Sequence, residues 1–229
     1  MATAASVIPT YLTRVATNTD GESYATGSIA PTNGRPCLVA VASYRAAGDP
    51  AIPTLAGNGQ TWTQVATEVI GSNLRITLFS APGASPSAGA ITATTTGETQ
   101  LAWAIWVVEF ENASTTDFVV QTKNVNTVAS ASTLPVTLDN PLTAAFNICV
   151  AFYAMQVNVT LNPGAGMAQN NTSQGVSDGL CHGMIFSTAL TLNVTFTTGT
   201  VSRVGIAAEI KHNGTGAGGM IMARKQGGF

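Results

Sequence analysis

Short apolar runs, many of them β-branched, follow one another along the whole chain with almost no helical periodicity. Clusters of Gly, Pro, Asn and Ser separate these runs, as at residues 31–34, 57–59 and 71–73. Strands with turn signals at intervals of about eight to twelve residues are typical of antiparallel sandwiches and jelly rolls. The predicted strands are 23–29, 37–44, 61–70, 74–80, 89–96, 100–110, 133–138, 144–155, 158–161, 183–187, 191–198 and 203–211.

The two halves of the chain resemble each other in the order of their motifs. The aligned segments are 38–44 with 148–154, 78–81 with 185–188, 95–97 with 197–199, and 105–110 with 206–210. The separation shrinks steadily along the chain, as small loop deletions in a second copy would cause. We therefore expect an internal repeat in which Glu109 corresponds to Glu209. The alternative is chance similarity, because Thr-, Val- and Ala-rich strands look alike.

The repeat divides the chain into four segments. Residues 1–18 are predicted to form an extended N-terminal arm, and residues 213–229 a Gly-rich C-terminal arm. Between them we expect a first β-sandwich repeat at 19–115 and a second at 116–212. The repeats form either two tandem sandwiches or one, in an all-β, antiparallel, jelly-roll-like fold. They are expected to pack together, because the polar connecting segment between them has no Gly run.

Charge is scarce, with 9% of residues charged and a formal net charge of −2. A typical soluble domain has about 25% charged residues. No basic face is available for nucleic acid, and no apolar run reaches the roughly 18 residues that span a bilayer. The first residues lack the pattern of a signal peptide, which predicts synthesis in the cytoplasm without export. A surface so poor in charge indicates self-association, with a trimer favoured over a dimer.

The sequence gives no pattern for a metal or cofactor site. The chain has three cysteines, too few and too far apart for a disulfide framework. Cys181 and His182 are adjacent, and neighbouring residues of a strand point to opposite faces, so a thiol dyad or metal pair is not expected. Residues 214–219 fit G-x-G-x-x-G only formally, because no helix or acidic residue follows. We expect no metal and no cofactor.

Two carboxylates are the strongest catalytic candidates. Glu109 and Glu111 lie two residues apart on one predicted strand and therefore share a face. Paired carboxylates hydrolyse glycosides as acid and nucleophile. However, the Glu109 position recurs as Glu209, which favours a structural role, with Arg75 or Arg203 as the expected partner. We therefore predict no catalytic residue and no enzyme activity.

Two sets of residues are candidates for binding. Trp62, beside Asn58 and Gln60 in a Gly-rich loop, is a possible ligand contact, whereas Trp106, Val108 and Phe110 are predicted to share a buried face. The C-terminal arm has an apolar, basic cluster that a partner subunit would bury. Its predicted partner-binding residues are Met220, Ile221, Met222, Arg224, Lys225 and Phe229.

The segments 57–65, 74–79 and 106–110, a hairpin with a Trp followed by a closing Val-Glu-Phe strand, resemble Thr- and Ala-rich β-sandwich modules of tailed-bacteriophage virion proteins. The resemblance covers roughly residues 24–212 and implies a head decoration (cement) or tail-fibre role without catalytic residues. It leads us to expect a virion structural protein bound to the major capsid protein or other virion subunits, and neither nucleic acid nor membrane. The alternatives are a carbohydrate-binding or receptor-binding tail module and, less favoured, a β-sandwich hydrolase using Glu109 and Glu111.

Overall fold

The computed structural model describes residues 6–71, 73–127, 133–155, 161–163, 168–173, 181–187, 191–196 and 202–214, the four segments from 161 to 196 by their backbone alone. All regular elements in this part of the chain are β-strands, and every strand pair is antiparallel. The predicted all-β antiparallel class is confirmed.

The described ranges contain sixteen strands in chain order, eight in each half. In the first half they are β1 (Ile8–Thr17), β2 (Ser23–Ala25), β3 (Cys37–Tyr44), β4 (Thr54–Gly57), β5 (Thr63–Ile70), β6 (Leu74–Ala81), β7 (Ile91–Thr94) and β8 (Ala102–Glu111). In the second half they are β9 (Val119–Thr127), β10 (Thr133–Thr137), β11 (Ile148–Met155), β12 (Leu161–Pro163), β13 (Ala168–Ser173), β14 (Cys181–Ser187), β15 (Thr191–Phe196) and β16 (Arg203–Ile210).

Each half builds one large sheet and one small sheet. The first large sheet has the order β1-β8-β3-β6-β5, and the first small sheet has the order β2-β7-β4. The second large sheet has the order β13-β14-β11-β16-β9, and the second small sheet β10-β15-β12. Numbered from the first strand of each half, the two halves therefore have the same strand order. The jelly-roll description and the origin of this likeness in an internal repeat stay predictions.

The four sheets form four layers with three apolar cores between them. A central core joins the inner faces of the two large sheets, with Leu38 and Trp106 from the first sheet and Val150 and Ile206 from the second. One outer core lies between the first large and first small sheets, and another between the second large and second small sheets. The predicted packing of the two halves against each other follows from the central core.

Burial on both faces explains the sequence of the central strands. In β8, Trp106, Val108 and Phe110 point into the central core, as predicted, while Trp103, Ile105 and Val107 point into the outer core. Because neither face meets water, these strands are continuous apolar runs rather than alternating ones. Their polar exceptions therefore stand out, and Glu109 and Glu209 are two of them.

The edge strands of the two large sheets meet where β5 lies beside β9. Asn124 of β9 donates from Nδ2 to the Thr67 carbonyl at 2.8 Å, and Asn126 donates from Nδ2 to the Val69 carbonyl at 3.3 Å and to the Glu68 carboxylate. Asparagine side chains of β9 thus donate hydrogen bonds to backbone carbonyls of β5. This arrangement blunts an edge that would otherwise pair with another chain.

The boundaries of the first repeat and of the N-terminal arm differ from the prediction. Ile8–Thr17, assigned to the arm at 1–18, forms β1 and pairs with β8 from Ile8↔Glu111 to Thr17↔Trp103, with a bulge between Tyr11 and Thr13. This strand belongs to the first large sheet because β8 needs a partner on its second side. The polar connector at 112–128 likewise contains β9. Residues 1–5 and 215–229, and with them most of the predicted C-terminal arm, lie outside the described residues.

Candidate functional site

Glu109 lies near the end of β8 on the face that turns away from the central core, and it is 2% exposed. The turn before β3 supplies its partners. The Thr32 backbone N–H donates to Oε2 at 2.7 Å, the Thr32 hydroxyl donates to Oε1 at 2.9 Å, and Arg35 Nη1 donates to Oε1 at 2.9 Å. Arg35 also reaches Glu111 through Nη2 at 2.7 Å. One guanidinium thus bridges both carboxylates.

The turn that carries Arg35 depends on a close backbone approach. Gly34 N–H donates to the Gly83 carbonyl at 3.0 Å. Gly83 has φ +76°, and a β-carbon there would overlap the Arg35 carbonyl. Glycine is the residue that meets both conditions without strain. The contact fixes the turn at residues 31–36 over the end of β8, so the Thr32 and Arg35 donors are held in place for Glu109.

Glu209 occupies the corresponding place on β16 and is fully buried. Its Oε1 accepts from the Thr143 backbone N–H at 2.6 Å, the Thr143 hydroxyl at 2.8 Å and Asn147 Nδ2 at 2.6 Å. Its Oε2 accepts from Gln121 Nε2 at 2.7 Å. Burial raises the pKa of the Glu209 carboxyl, but the bonds from Asn147, Gln121 and Thr143 outweigh it and leave this pKa below its ordinary value. The group is therefore a carboxylate held by neutral donors.

A cysteine sits opposite each glutamate on the neighbouring strand. Cys37 pairs with Glu109, and Cys149 pairs with Glu209. Both thiols are free and buried, and burial, with a smaller contribution from the facing carboxylate, raises the pKa of each to about 12. A thiol with so high a pKa is not a nucleophile near neutral pH. These cysteines fill space in the fold.

The partners predicted for Glu109 are wrong. Arg75 donates from Nη1 to Thr67 Oγ1 at 3.0 Å and from Nε to the Pro50 carbonyl. Arg203 pairs with Met155 at the opposite end of β16 from Glu209. The residues missed from the sequence are Thr32, Arg35, Thr143, Asn147 and Gln121. The sequence does contain one feature that marks both threonines. A Pro followed within two residues by Thr lies a few residues before β3 and before β11, the strands that contain Cys37 and Cys149.

The geometry around Glu109 and Glu111 fits a structural anchor better than an acid–nucleophile pair. Both carboxylates accept hydrogen bonds from the same arginine, Arg35. An acid–nucleophile pair acts on a substrate placed between its two carboxylates, whereas here one guanidinium bridges them. The described residues also contain no group of three His, Cys, Asp or Glu side chains that could hold a metal ion.

The Trp62 loop is tied to the protein's own backbone. Asn58 is 3% exposed, has φ +55°, and donates from Nδ2 to the carbonyls of Ile29, Ser87 and Gly89 at 3.3, 3.0 and 2.8 Å. Trp62 is half-buried against the first outer core, and its Nε1 donates to the Gly57 carbonyl at 3.2 Å. Asn58 thus holds the loop together. A ligand contact at Trp62 and Gln60 stays a prediction.

The predicted partner-binding residues Met220, Ile221, Met222, Arg224, Lys225 and Phe229 lie outside the described residues. The described chain leads up to them beside a surface cavity of about 470 Å³, whose wall includes Phe146, Lys211, His212 and Gly214. Phe146 is 37% exposed, and Ile8 nearby is 46% exposed. The Val7 N–H donates to the Phe146 carbonyl at 3.2 Å, which places the start of β1 beside Phe146.

Cys181 and His182 both lie on β14, as consecutive residues paired with Met155 and Ala154 of β11. These two residues are described by their backbone alone, so the expectation that they form neither a dyad nor a metal pair stays a prediction. Within the described ranges no helix is long and apolar enough to cross a membrane. Comparison with protein-family models, curated proteins and solved structures finds no match to the chain.

Proposed function

We propose that this chain is a non-enzymatic structural protein of a virion, a capsid decoration protein that stabilises the head of a tailed bacteriophage. The observation that carries the proposal is that the chain has few charged residues and that most of those described are paired within the fold. The chain has nine basic and eleven acidic residues, and many of them are already engaged within the fold. Those with a partner in the chain include Glu22, Arg35, Arg45, Glu68, Arg75, Glu98, Glu109, Glu111, Lys123, Asp139 and Glu209.

The described exterior therefore carries few charges beyond these, among them Asp49, Asp117 and Lys211, beside neutral polar groups and a few apolar ones. The large apolar side chains that stay exposed are Ile8, Ile52, Val120 and Phe146, at 37–46%. A free monomer usually keeps about a quarter to a third of its surface charged. A block of four packed layers with a surface poor in charge suits a subunit whose faces are covered in a larger assembly.

The supporting mechanism is adhesion by a rigid body rather than chemistry. The central core locks the two halves together, so load on one half passes to the other without a hinge. The sequence beyond Gly214 carries apolar and basic residues that reach a neighbouring subunit and add contacts to those of the block. Oligomers of this subunit, trimers in our interpretation, would sit over junctions of the capsid lattice and resist internal pressure.

The direct test is location. An antibody raised against the recombinant protein is used on particles separated by density-gradient centrifugation from cells that produce the chain. We expect the protein to sediment with DNA-filled heads and gold label to cover the head surface. Label at the tail tip would support the receptor-binding alternative, and protein that stays in the soluble fraction would contradict a virion role.

A second experiment tests attachment. Particles stripped of the protein are incubated with the full chain or with a variant that ends at Gly214, which keeps every described strand. We expect the full chain to rebind and the shortened one to fail, with both showing the same thermal transition. Light scattering of the full chain should show a closed oligomer. A clean, highly soluble monomer would contradict the assembly.

A further inference from the structure

Three Asn-Gly pairs occur in the chain, at Asn33-Gly34, Asn58-Gly59 and Asn213-Gly214. In such a pair the glycine amide nitrogen can attack the asparagine side-chain carbonyl carbon, because glycine has no β-carbon in the way. The products are a succinimide and ammonia. The structure places the three pairs in different surroundings, so their reactivity is expected to differ.

The first two pairs are restrained. The Gly34 N–H donates to the Gly83 carbonyl at 3.0 Å, and Asn33 Oδ1 accepts from the Ser85 N–H at 3.1 Å. Asn58 is buried, and its leaving nitrogen Nδ2 is bound to three carbonyls. In each pair a group that must move during the attack is held by the fold.

In the third pair, the attacking nitrogen of Gly214 is hydrogen-bonded to a candidate general base, the His212 ring. Gly214 N–H donates to His212 Nδ1 at 3.1 Å, within the distance at which a general base takes a proton. Nδ1 is the acceptor in this contact, so it is the ring nitrogen placed to take the proton. The His212 N–H donates to Asn147 Oδ1 at 2.9 Å, and its ring lies 5.5 Å from the Phe146 ring, so the base is fixed. Asn213 and Gly214 are exposed to water.

We propose that Asn213-Gly214 is a self-modification site at which His212 acts as general base for deamidation. His212 Nδ1 takes the Gly214 amide proton as this nitrogen forms a bond to Asn213 Cγ. The Cγ–Nδ2 bond then breaks, and the imidazolium returns its proton so that ammonia leaves. Water opens the succinimide at either carbonyl, which gives aspartate or isoaspartate at position 213. No oxidant or other co-reactant is needed.

The modification changes the junction between the second sandwich and the C-terminal residues. It adds a negative charge at position 213, beside Lys211 and at the rim of the Phe146 cavity. The isoaspartate product also moves the main chain through the former side chain and adds a methylene to it. The direction and charge of the chain leaving the sandwich would therefore change as the protein ages.

The test compares the three pairs in one sample. The purified full chain is incubated in ¹⁸O-labelled water and analysed by peptide mass spectrometry, which detects the labelled carboxylate at each asparagine. We expect label at position 213 first and fastest, with Asn33 and Asn58 as internal controls. Label that appears at Asn33 or Asn58 as fast as at Asn213, or none at Asn213, would overturn the proposal.

Substitution of the base separates general-base assistance from simple exposure. In His212→Phe, which keeps a ring beside Phe146, we expect deamidation at position 213 to slow by about tenfold, a modest share of what a positioned base contributes. Lys211→Gln is the matched control and should keep the original rate. If His212→Phe folds poorly, His212→Gln provides the same comparison. An unchanged rate in the folded variant would show that His212 is not the base.

Discussion

Two glutamates at corresponding ends of the two large sheets show different ways to bury a carboxylate. Both accept two bonds from one threonine, Thr32 for Glu109 and Thr143 for Glu209. Glu109 then uses a cation, Arg35, whose side chain is 29% exposed. Glu209 uses only neutral amides, from Asn147 and Gln121.

The difference shows that the desolvation cost of a buried carboxylate can be offset by neutral hydrogen-bond donors as well as by a cation. An ion pair at a partly exposed position gains little, because water and salt screen it. Bonds from neutral donors to a buried carboxylate are charge-assisted and are not weakened in the same way. The second site should therefore contribute more to stability than the first, although it contains no salt bridge among its described contacts.

The largest expected effect is loss of the Glu209 carboxylate. Glu209→Ala removes a buried acceptor shared by the Thr143, Asn147 and Gln121 donors, at a cost of about 4 kcal/mol in the free energy of unfolding. Glu109→Ala should cost about 2 kcal/mol, because Arg35 keeps Glu111 and its contact with water. Denaturant titration of both variants measures the two losses. Equal losses, or a larger one at Glu109, would break the comparison.

The next effect is the loss of stability from the Glu209 site as the pH is lowered. Because the folded-state pKa of Glu209 lies below the ordinary value of 4.5, the unfolded chain takes up this proton first. The stability from Glu209 is therefore fully present above pH 4.5 and is lost as pH falls through the lowered folded-state pKa. The measurement is unfolding free energy against pH, in the natural protein and in Glu209→Gln.

We expect a shallower acid decline in Glu209→Gln. Glu98 also has a lowered pKa, where bonds from Ala51 and Gln100 outweigh burial, but it is common to both proteins and cancels in the difference. Parallel curves would mean that Glu209 is not held as a carboxylate in the folded state.

Salt should weaken the stabilisation by Arg35 at Glu109 more than the stabilisation by the neutral amides at Glu209. Arg35→Met is expected to lower the unfolding free energy by about 1 kcal/mol in dilute buffer, and by less in 1 M salt, where the screening length is only about 3 Å. Gln121→Met, the matched change at the other site, should cost about the same at both salt concentrations. A salt-independent loss in Arg35→Met would show that its contribution is packing of the side chain rather than charge.

The last comparison concerns the two threonines. Thr143 Oγ1 donates to Glu209 and accepts from Asn147 Nδ2 at 3.0 Å, whereas Thr32 Oγ1 makes the single bond to Glu109. Thr143→Val should therefore cost about 1.5 kcal/mol and Thr32→Val about 0.5 kcal/mol. Calorimetry gives the difference as a shift of the thermal midpoint, with a larger drop for Thr143→Val. The reverse order would contradict the hydrogen-bond assignment.

Most central strands could be predicted from the sequence because they are buried on both faces. β3 was predicted with the observed bounds Cys37–Tyr44, and β6 and β8 to within two residues. The strands missed were β1, β4, β9 and β13, each at the edge of its sheet. β9 is half-exposed along nearly its whole length, so neither an apolar run nor strict alternation marks it. Its pairing with β16 arises from tertiary structure.

The carboxylate site was predictable only in part. The corresponding positions of Glu109 and Glu209 follow from the aligned segments, whereas the expected partners Arg75 and Arg203 were wrong. The structural role stays a prediction. The donors to Glu209 could not be predicted, because they come from a turn and from strand β9, 62 to 88 residues away in sequence. The 77-residue separation of Thr32 from Glu109 is equally non-local. Which turn covers a strand end depends on sheet order, and the apolar pattern does not encode that order.

The pairing of β1 with β8 also imposes a delay during synthesis. Ile8 finds its partner only when Glu111 has been made, which takes about 5 to 20 s at ordinary rates of translation. Throughout that wait β1 is an unpaired strand that could join another nascent chain. Pro9, which cannot donate to a ladder, and the bulge between Tyr11 and Thr13 make it a poor template. Pro9 and the bulge therefore disfavour pairing of β1 with another chain before β8 has been synthesised.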